Sequence, residues 1–173
     1  MSKKFNLREF QTRLSQQLQA AANRDTSGSR LGFRVGEANW LVSLADTEEV
    51  LPVPPIVKVP GACRWFRGLA NIRGNLYAVS DFADFMGMGT TPEHSECRLL
   101  IPHRDFGVNA ALLIRGTLGL RNISRYTARD DAPGHPWIAR HYADESGAAW
   151  RDLDFAQLLG TPAFLMVEAR ASA

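Results

Sequence analysis

A chain of 173 residues is long enough to form one compact domain, with or without a short appendage, and to bury an apolar core without disulfides or metal. A net charge of +2 is too small to indicate a polyanionic partner, and 45% hydrophobic residues is typical of a folded chain. Because no stretch approaches roughly 18 apolar residues and the start lacks the apolar part of a secretory signal, we expect a soluble, cytoplasmic protein without membrane insertion.

The first segment, residues 1–28, is predicted to be an amphipathic helix followed by a linker. Asn6 suits an N-cap, and Glu9 stands three residues later as its capping-box partner. Apolar side chains then recur on one helical face, at Leu7, Phe10, Leu14, Leu18 and Ala21. The helix either packs on its own domain or docks into a partner's groove. The remaining residues, 29–170, are expected to form the main domain.

After the linker the hydrophobic period changes from 3.6 to 2, which predicts β-structure. Leu31, Phe33 and Val35 alternate with polar or small residues, a turn follows at 36–39, and alternation resumes from Trp40, so a hairpin is expected. Further strands are predicted near 48–53, 76–80, 98–101, 108–114, 149–153 and 163–168. Short helices are predicted at 81–87, capped by Asp81, and at 154–159. Many short strands without regular βαβ alternation indicate a mainly β fold of barrels or a sandwich.

The residue types that carry catalysis or bind metals do not occur in the required patterns. The four histidines show no H-E-x-x-H spacing, and no G-x-S-x-G or phosphate-binding glycine loop is present. Cys63 and Cys97 form no C-x-x-C pair, which is typical of reduced thiols. The carboxylate pairs Asp130-Asp131 and Asp152/Asp154 suit loop and capping roles. We therefore expect no catalytic, cofactor-binding or metal-binding residues and no enzymatic activity.

Two alternatives follow from the arginines, which number 17 of the 20 basic residues. The run 25–30 and the Arg121-x-x-x-Arg125 spacing resemble the two elements of PilZ cyclic-dinucleotide sensors, but they come in reverse order and Arg30 replaces a glycine. A small barrel that binds nucleic acid is the other alternative, although the sequence shows no cluster of basic and aromatic residues.

The segment Gly68-Leu69-Ala70-Asn71-Ile72-Arg73-Gly74 places an asparagine and an arginine between two glycines, just before a predicted strand. Such glycines suit a sharp turn or the close approach of another backbone. Arg73 suits an interface hot spot, because it combines a flat face with a donor fork. It suits equally a local contact with a carboxylate or with carbonyl groups.

Residues 68–82 resemble the G-x-x-N-[LIV]-R-G-x-[LIV]-x-P-[LIV]-x-D-L signature of CheW-like domains, with Ala78 in place of the proline and Phe82 in place of the last leucine. Upstream, Glu49-Val50 matches the family's V-x-E-[LIV] stretch, and the resemblance extends over about residues 31–168. The N-terminal helix and the closing pattern from Trp150 to Val167 resemble members that serve type IV pilus (twitching) pathways more than flagellar ones.

This resemblance implies two five-stranded SH3-like barrels that share an apolar core. It implies a non-catalytic adaptor between a CheA-type histidine kinase and the cytoplasmic tip of a methyl-accepting chemoreceptor, recruited to membrane-associated arrays. Carried over by position, the receptor-binding residues are Gly68, Asn71, Arg73 and Gly74, and the kinase-binding residues are Glu49 and Val50. Neither a cofactor nor nucleic acid is expected as a partner.

Overall fold

A computed structural model describes residues 28–131 and 134–168, which fold into two six-stranded sheets. The predicted helix at the N-terminus lies outside the described residues. Each sheet has five longer strands and one short outer strand, which has three residues in the first sheet and two in the second. The five-stranded barrels implied by the sequence are thereby confirmed, each with a short additional strand.

The strand bounds of the first sheet are β1 Ser29–Val35, β2 Ala38–Ser43, β9 Gly116–Asn122, β10 Thr127–Arg129, β11 Ile138–Ala143 and β12 Ala149–Leu153. Those of the second sheet are β3 Thr47–Pro52, β4 Ile56–Val57, β5 Phe66–Ile72, β6 Asn75–Asp81, β7 Arg98–Pro102 and β8 Ala110–Ile114. The first sheet has the order β10-β11-β12-β2-β1-β9 and the second has the order β3-β7-β8-β6-β5-β4. The helices are α1 Phe82–Phe85, α2 Phe155–Gly160 and α3 Pro162–Leu165, with two 3-10 turns at Arg104–Phe106 (η1) and Ile123–Arg125 (η2). The predicted β1–β2 hairpin is confirmed, with Val35 opposite Ala38.

A shared apolar core joins the two sheets. Phe33 and Trp40 from the first sheet pack in one cluster with Leu100 and Leu112 from the second, and all four side chains are fully buried. A smaller cluster lies inside the second barrel alone and includes Leu99, whose neighbour Leu100 points into the shared core. Because successive side chains of a strand point to opposite faces, β7 supplies both clusters.

Asp81 anchors the base of the β5–β6 hairpin. Its carboxylate is fully buried and accepts hydrogen bonds from the backbone N–H of Thr91 at 2.8 Å and from the Thr91 hydroxyl at 2.7 Å. The same side chain caps α1 by accepting from the N–H of Asp84, as the sequence predicted, and lies 3.5 Å from Arg67 on β5. A buried carboxylate with these partners fixes three segments relative to one another.

The expectation of a strand at 163–168 is wrong. Pro162 starts helix α3, since its ring presets the helical φ and its missing N–H is not needed at the first helical position. A short apolar run does not by itself distinguish a strand from a buried helix. Phe164 of α3 is buried between Trp65 and Phe85, with ring centroids at 5.8 and 5.1 Å. Only Glu168 makes a β-bridge, with Ala62.

Candidate functional site

The β5–β6 hairpin turns through Arg73 and Gly74, which form a two-residue loop between the paired residues Ile72 and Asn75. Both loop residues have positive φ, 52° for Arg73 and 88° for Gly74, as a type I′ turn requires. The side-chain oxygen of Asn71 accepts a hydrogen bond from the N–H of Gly74 at 2.9 Å and so stabilises the loop. The predicted receptor-binding residues Asn71, Arg73 and Gly74 are thus neighbours at one exposed hairpin tip.

Arg73 reaches across the open end of the second barrel to Glu49 on β3, with 2.5 Å between Nη2 and Oε1. Three strands separate β3 from β5 in the sheet order, so this contact is possible only because the sheet curls into a barrel. The Arg73 side chain remains 76% exposed. The structure therefore shows the local carboxylate contact that the sequence left open, and it leaves the guanidinium accessible to a partner.

A second ion pair, between Arg104 of η1 and Glu48 of β3, lies on the same rim. The hydrogen bond from the Arg104 side chain lowers the pKa of Glu48 to about 2, so Glu48 keeps its charge at pH values where an ordinary glutamate is protonated. Neither Glu48 nor Arg104 was predicted from the sequence as a site residue. The adjacent glutamates at 48 and 49 were the available signal, because a register shift between Thr47 and Glu49 disturbs the ordinary alternation of this strand.

A groove of about 470 Å³ lies beside the two ion pairs at the mouth of the second barrel. Its apolar wall includes Ile72, Tyr77 and Ile101, and its polar rim carries Arg73 and Glu49. A mainly polar groove with some apolar wall is suited to a protein partner that is oriented by charged contacts.

Gly68 occupies a different part of the hairpin from the tip. It is buried in the middle of β5, with φ of 128°, where the pairing with β6 shifts register. A Cβ atom at this position would lie 2.0 Å from the carbonyl oxygen of Val57. The predicted close approach of another backbone is thus confirmed, and it is β4 that approaches.

The predicted kinase-binding residues Glu49 and Val50 are consecutive on β3, which ends the second sheet on one side. The Glu49 side chain is 28% exposed, whereas Val50 is half-buried against the shared core. Downstream of β3, the segment 53–59 exposes three valines, at 36% for Val53, 71% for Val57 and 42% for Val59. The stretch from β3 to residue 59 therefore carries two adjacent carboxylates, at 48 and 49, followed by exposed apolar side chains.

Within the described residues, no group of three or more histidine, cysteine, aspartate or glutamate side chains is arranged to hold a metal ion. In the same part of the chain, no helix is long and apolar enough to cross a membrane.

The two small barrels with a shared core define a class of protein, and residues 30–162 match the sequence model of the CheW-like domain. The chain therefore belongs to the CheW-like family, whose members are non-catalytic scaffold and adaptor proteins of chemosensory signalling. Within that class, the chain is 30% identical to the protein PilI of Pseudomonas aeruginosa over 122 residues, which cover 70% of this chain and 67% of PilI.

The fold is also similar to a solved structure, that of the scaffolding protein CheW from Thermoanaerobacter tengcongensis. The TM-score is 0.67 at 16% sequence identity, over 79% of this chain and 94% of that protein. The backbone arrangement is thus shared even though most side chains differ.

Proposed function

We propose that this protein couples a methyl-accepting chemoreceptor to a CheA-type histidine kinase, in a pathway that controls twitching motility through type IV pili. Membership of the CheW-like family supports the adaptor role, and similarity to PilI supports the pilus pathway. Residues 29–170 form the coupling domain in this proposal, and residues 1–28 form a helix and linker. The adaptor acts in the cytoplasm at membrane-associated receptor arrays.

The tip of the β5–β6 hairpin is the proposed receptor-binding surface. The observation that carries this assignment is the exposed side chain of Arg73, of which 76% is accessible to solvent. The backbone at this position has a positive φ, which glycine or asparagine adopts more readily than arginine. Asn71 and Gly74 shape the turn that presents the guanidinium. Gly68 contributes through its backbone, because it allows β4 to pack against the hairpin.

The proposed kinase-binding surface is the side of the second barrel that carries Glu49 and Val50. Since Glu49 is the ion-pair partner of Arg73, the two proposed surfaces meet at one contact. A receptor carboxylate that attracts Arg73 releases Glu49, and a kinase cation that attracts Glu49 releases Arg73. The ion pair thus provides a physical route by which each partner changes the affinity for the other.

Capture experiments with the full-length chain test this proposal. Receptor cytoplasmic fragments and the kinase regulatory domain are immobilised separately, and the retained chain is measured for the native sequence and for Arg73→Glu. We expect receptor capture to fall about tenfold or more, as for loss of an interface arginine. Arg115→Glu is the matched control, because Arg115 also forms an exposed ion pair, with Glu37. Equal receptor capture by both variants would show that the hairpin tip is not the receptor surface.

A further inference from the structure

A pocket of about 480 Å³ lies in the first barrel, on the opposite sheet from the proposed coupling surfaces. It lies between the end of β9 with its following turn η2 and the β11–β12 turn. The residues that line it are Leu120, Arg121, Asn122, Arg125, Tyr126 and 144–146. None of them belongs to the proposed receptor or kinase surface, so the pocket does not overlap with either surface.

Arg121 is held in place on one wall of this pocket. Its guanidinium lies 5.4 Å from the centre of the Trp150 ring, and its Nη2 donates to the carbonyl oxygen of Leu118 at 2.7 Å. The Nε atom is buried and has no acceptor among the described residues. Of the five N–H donors of an arginine, one is therefore occupied in the described part of the chain. A guanidinium fixed in this way loses little freedom when it binds a ligand.

Arg125 and Asn122 add donors to the same pocket. Arg125 is exposed, and within the described ranges its guanidinium has no hydrogen bond or ion pair. Asn122 caps η2 through its side-chain oxygen, which accepts from the N–H of Ser124 at 3.0 Å, so its amide group stays available as a donor. Since η2 makes a tight turn directly after β9, both arginines line one pocket.

The pocket also contains two carboxylates, and one of them is already satisfied. Asp144 accepts hydrogen bonds from the Ser146 hydroxyl at 2.6 Å and from the Trp150 indole at 2.9 Å, and also from the backbone N–H groups of Ser146 and Ala148. These bonds lower the pKa of Asp144 to about 2. Glu145 is exposed on the rim, and its charge opposes an anion there together with that of Asp144.

From this arrangement we infer that the pocket binds a phosphate-type oxyanion, carried either by a soluble phosphate ester or by a phospholipid headgroup. Two arginines and an amide offer N–H donors to one small volume, and guanidinium groups match the oxygens of a phosphate in geometry and charge. Asp144 and Glu145 offset the formal charge of the two arginines, so binding depends on the directed N–H donors rather than on net charge.

Titration calorimetry of the full-length chain with inorganic phosphate and with glycerol 3-phosphate tests the soluble source. Flotation with phosphatidylcholine vesicles, with and without phosphatidylglycerol, tests the headgroup. We expect saturable binding in at least one of the two experiments, and the one that gives it identifies the source. The absence of saturable binding to every one of these probes overturns the inference.

Variants show whether binding occurs in this pocket. Arg125→Gln should weaken binding about tenfold, the loss expected when one charge-assisted contact is removed, and Glu145→Gln should strengthen it severalfold, because a repelling charge is removed. Arg115→Gln is the control, since Arg115 is an exposed arginine outside the pocket, and it should change affinity less than twofold. Equal losses for Arg125→Gln and Arg115→Gln would indicate nonspecific attraction to charge and would contradict the site.

Discussion

Arg73 combines an unfavourable backbone conformation with an exposed side chain. A φ of 52° is uncommon for a long side chain, and the turn would accept asparagine more readily. Its ion pair with Glu49 is largely solvated, and such pairs contribute about 0–1 kcal/mol to folding. Stability therefore does not account for an arginine at this position, which supports a role in recognition.

Replacing Arg73 by asparagine should separate stability from binding. Because asparagine tolerates positive φ, Arg73→Asn should leave the free energy of unfolding unchanged or raise it by up to about 1 kcal/mol. Receptor capture should nevertheless fall by about tenfold. Urea unfolding measures the first quantity and the capture assay the second. A loss of more than about 1 kcal/mol would show that the arginine stabilises the hairpin after all.

Gly68 and Gly74 both have positive φ, but they differ in their surroundings. A Cβ at Gly68 would lie 2.0 Å from the Val57 oxygen, whereas no atom lies within 4 Å of a Cβ at Gly74. Gly68→Ala should therefore cost about 3 kcal/mol or more, and Gly74→Ala about 1–2 kcal/mol from backbone strain alone. Thermal and urea unfolding of the pair measure the difference. Equal costs would mean that β4 moves away freely.

At the scale of single elements, the turn between β11 and β12 is organised by the Asp144 carboxylate. The pKa of this group is lowered to about 2, chiefly by the hydrogen bond from the Ser146 side chain and then by that from Trp150. A group whose pKa is lower in the folded than in the unfolded chain stabilises the fold above its ordinary pKa of 3.8. That contribution is lost as the pH falls from about 4 towards 2.

The indole N–H of Trp150 reports this titration directly, since it donates to Asp144. The NMR signal of this indole proton should shift with a midpoint near pH 2 in the native chain, and the shift should be absent in Asp144→Asn. A midpoint close to 3.8 would show that the four hydrogen bonds do not hold the carboxylate.

Several elements follow directly from local sequence, and others do not. The alternation in residues 31–44 predicted β1 and β2, and the Asp81 cap predicted α1. Strand β5 was not predicted, because its glycine at 68 reads as a turn until the packing of β4 is known. The stretch at 163–168 was assigned to the wrong element, since Phe164 is buried by tertiary contacts in a helix.

The candidate site shows the same division. From the sequence, the glycines at 68 and 74 suited either a sharp turn or the close approach of another backbone, and the structure shows the turn at Gly74 and the close approach at Gly68. The contact of Arg73 with Glu49 could not be predicted from the sequence, since it spans 24 residues and depends on the curvature of the whole barrel. The rim pair Glu48–Arg104 spans 56 residues and was missed for the same reason.

At the scale of the whole molecule, the shared core makes the two barrels one folding unit. Leu99 and Leu100 are both fully buried neighbours on β7, yet Leu100 packs in the shared cluster and Leu99 in the cluster of the second barrel. Truncation of the two side chains should therefore destabilise different parts of the molecule. Each change to alanine removes buried surface and leaves a cavity, at a cost of about 2–5 kcal/mol.

Native-state hydrogen exchange of Leu100→Ala and Leu99→Ala measures which strands lose amide protection in each variant. Leu100→Ala should lower the protection of β1 and β2 in the first sheet as much as that of β7, whereas Leu99→Ala should act first on the second sheet. Equal loss in both sheets for both variants would show that the two clusters act as one core.

Kinase activation in a reconstituted mixture of receptor, kinase and this chain tests the coupling proposal most directly. The variants are Arg73→Glu, Glu49→Arg and the double exchange, which restores an ion pair of opposite polarity between the two positions. We expect each single variant to lose receptor-dependent activation, and the double exchange not to recover it, because partners recognise the native polarity. Full activation by Arg73→Glu would contradict the proposal that this hairpin couples the receptor to the kinase.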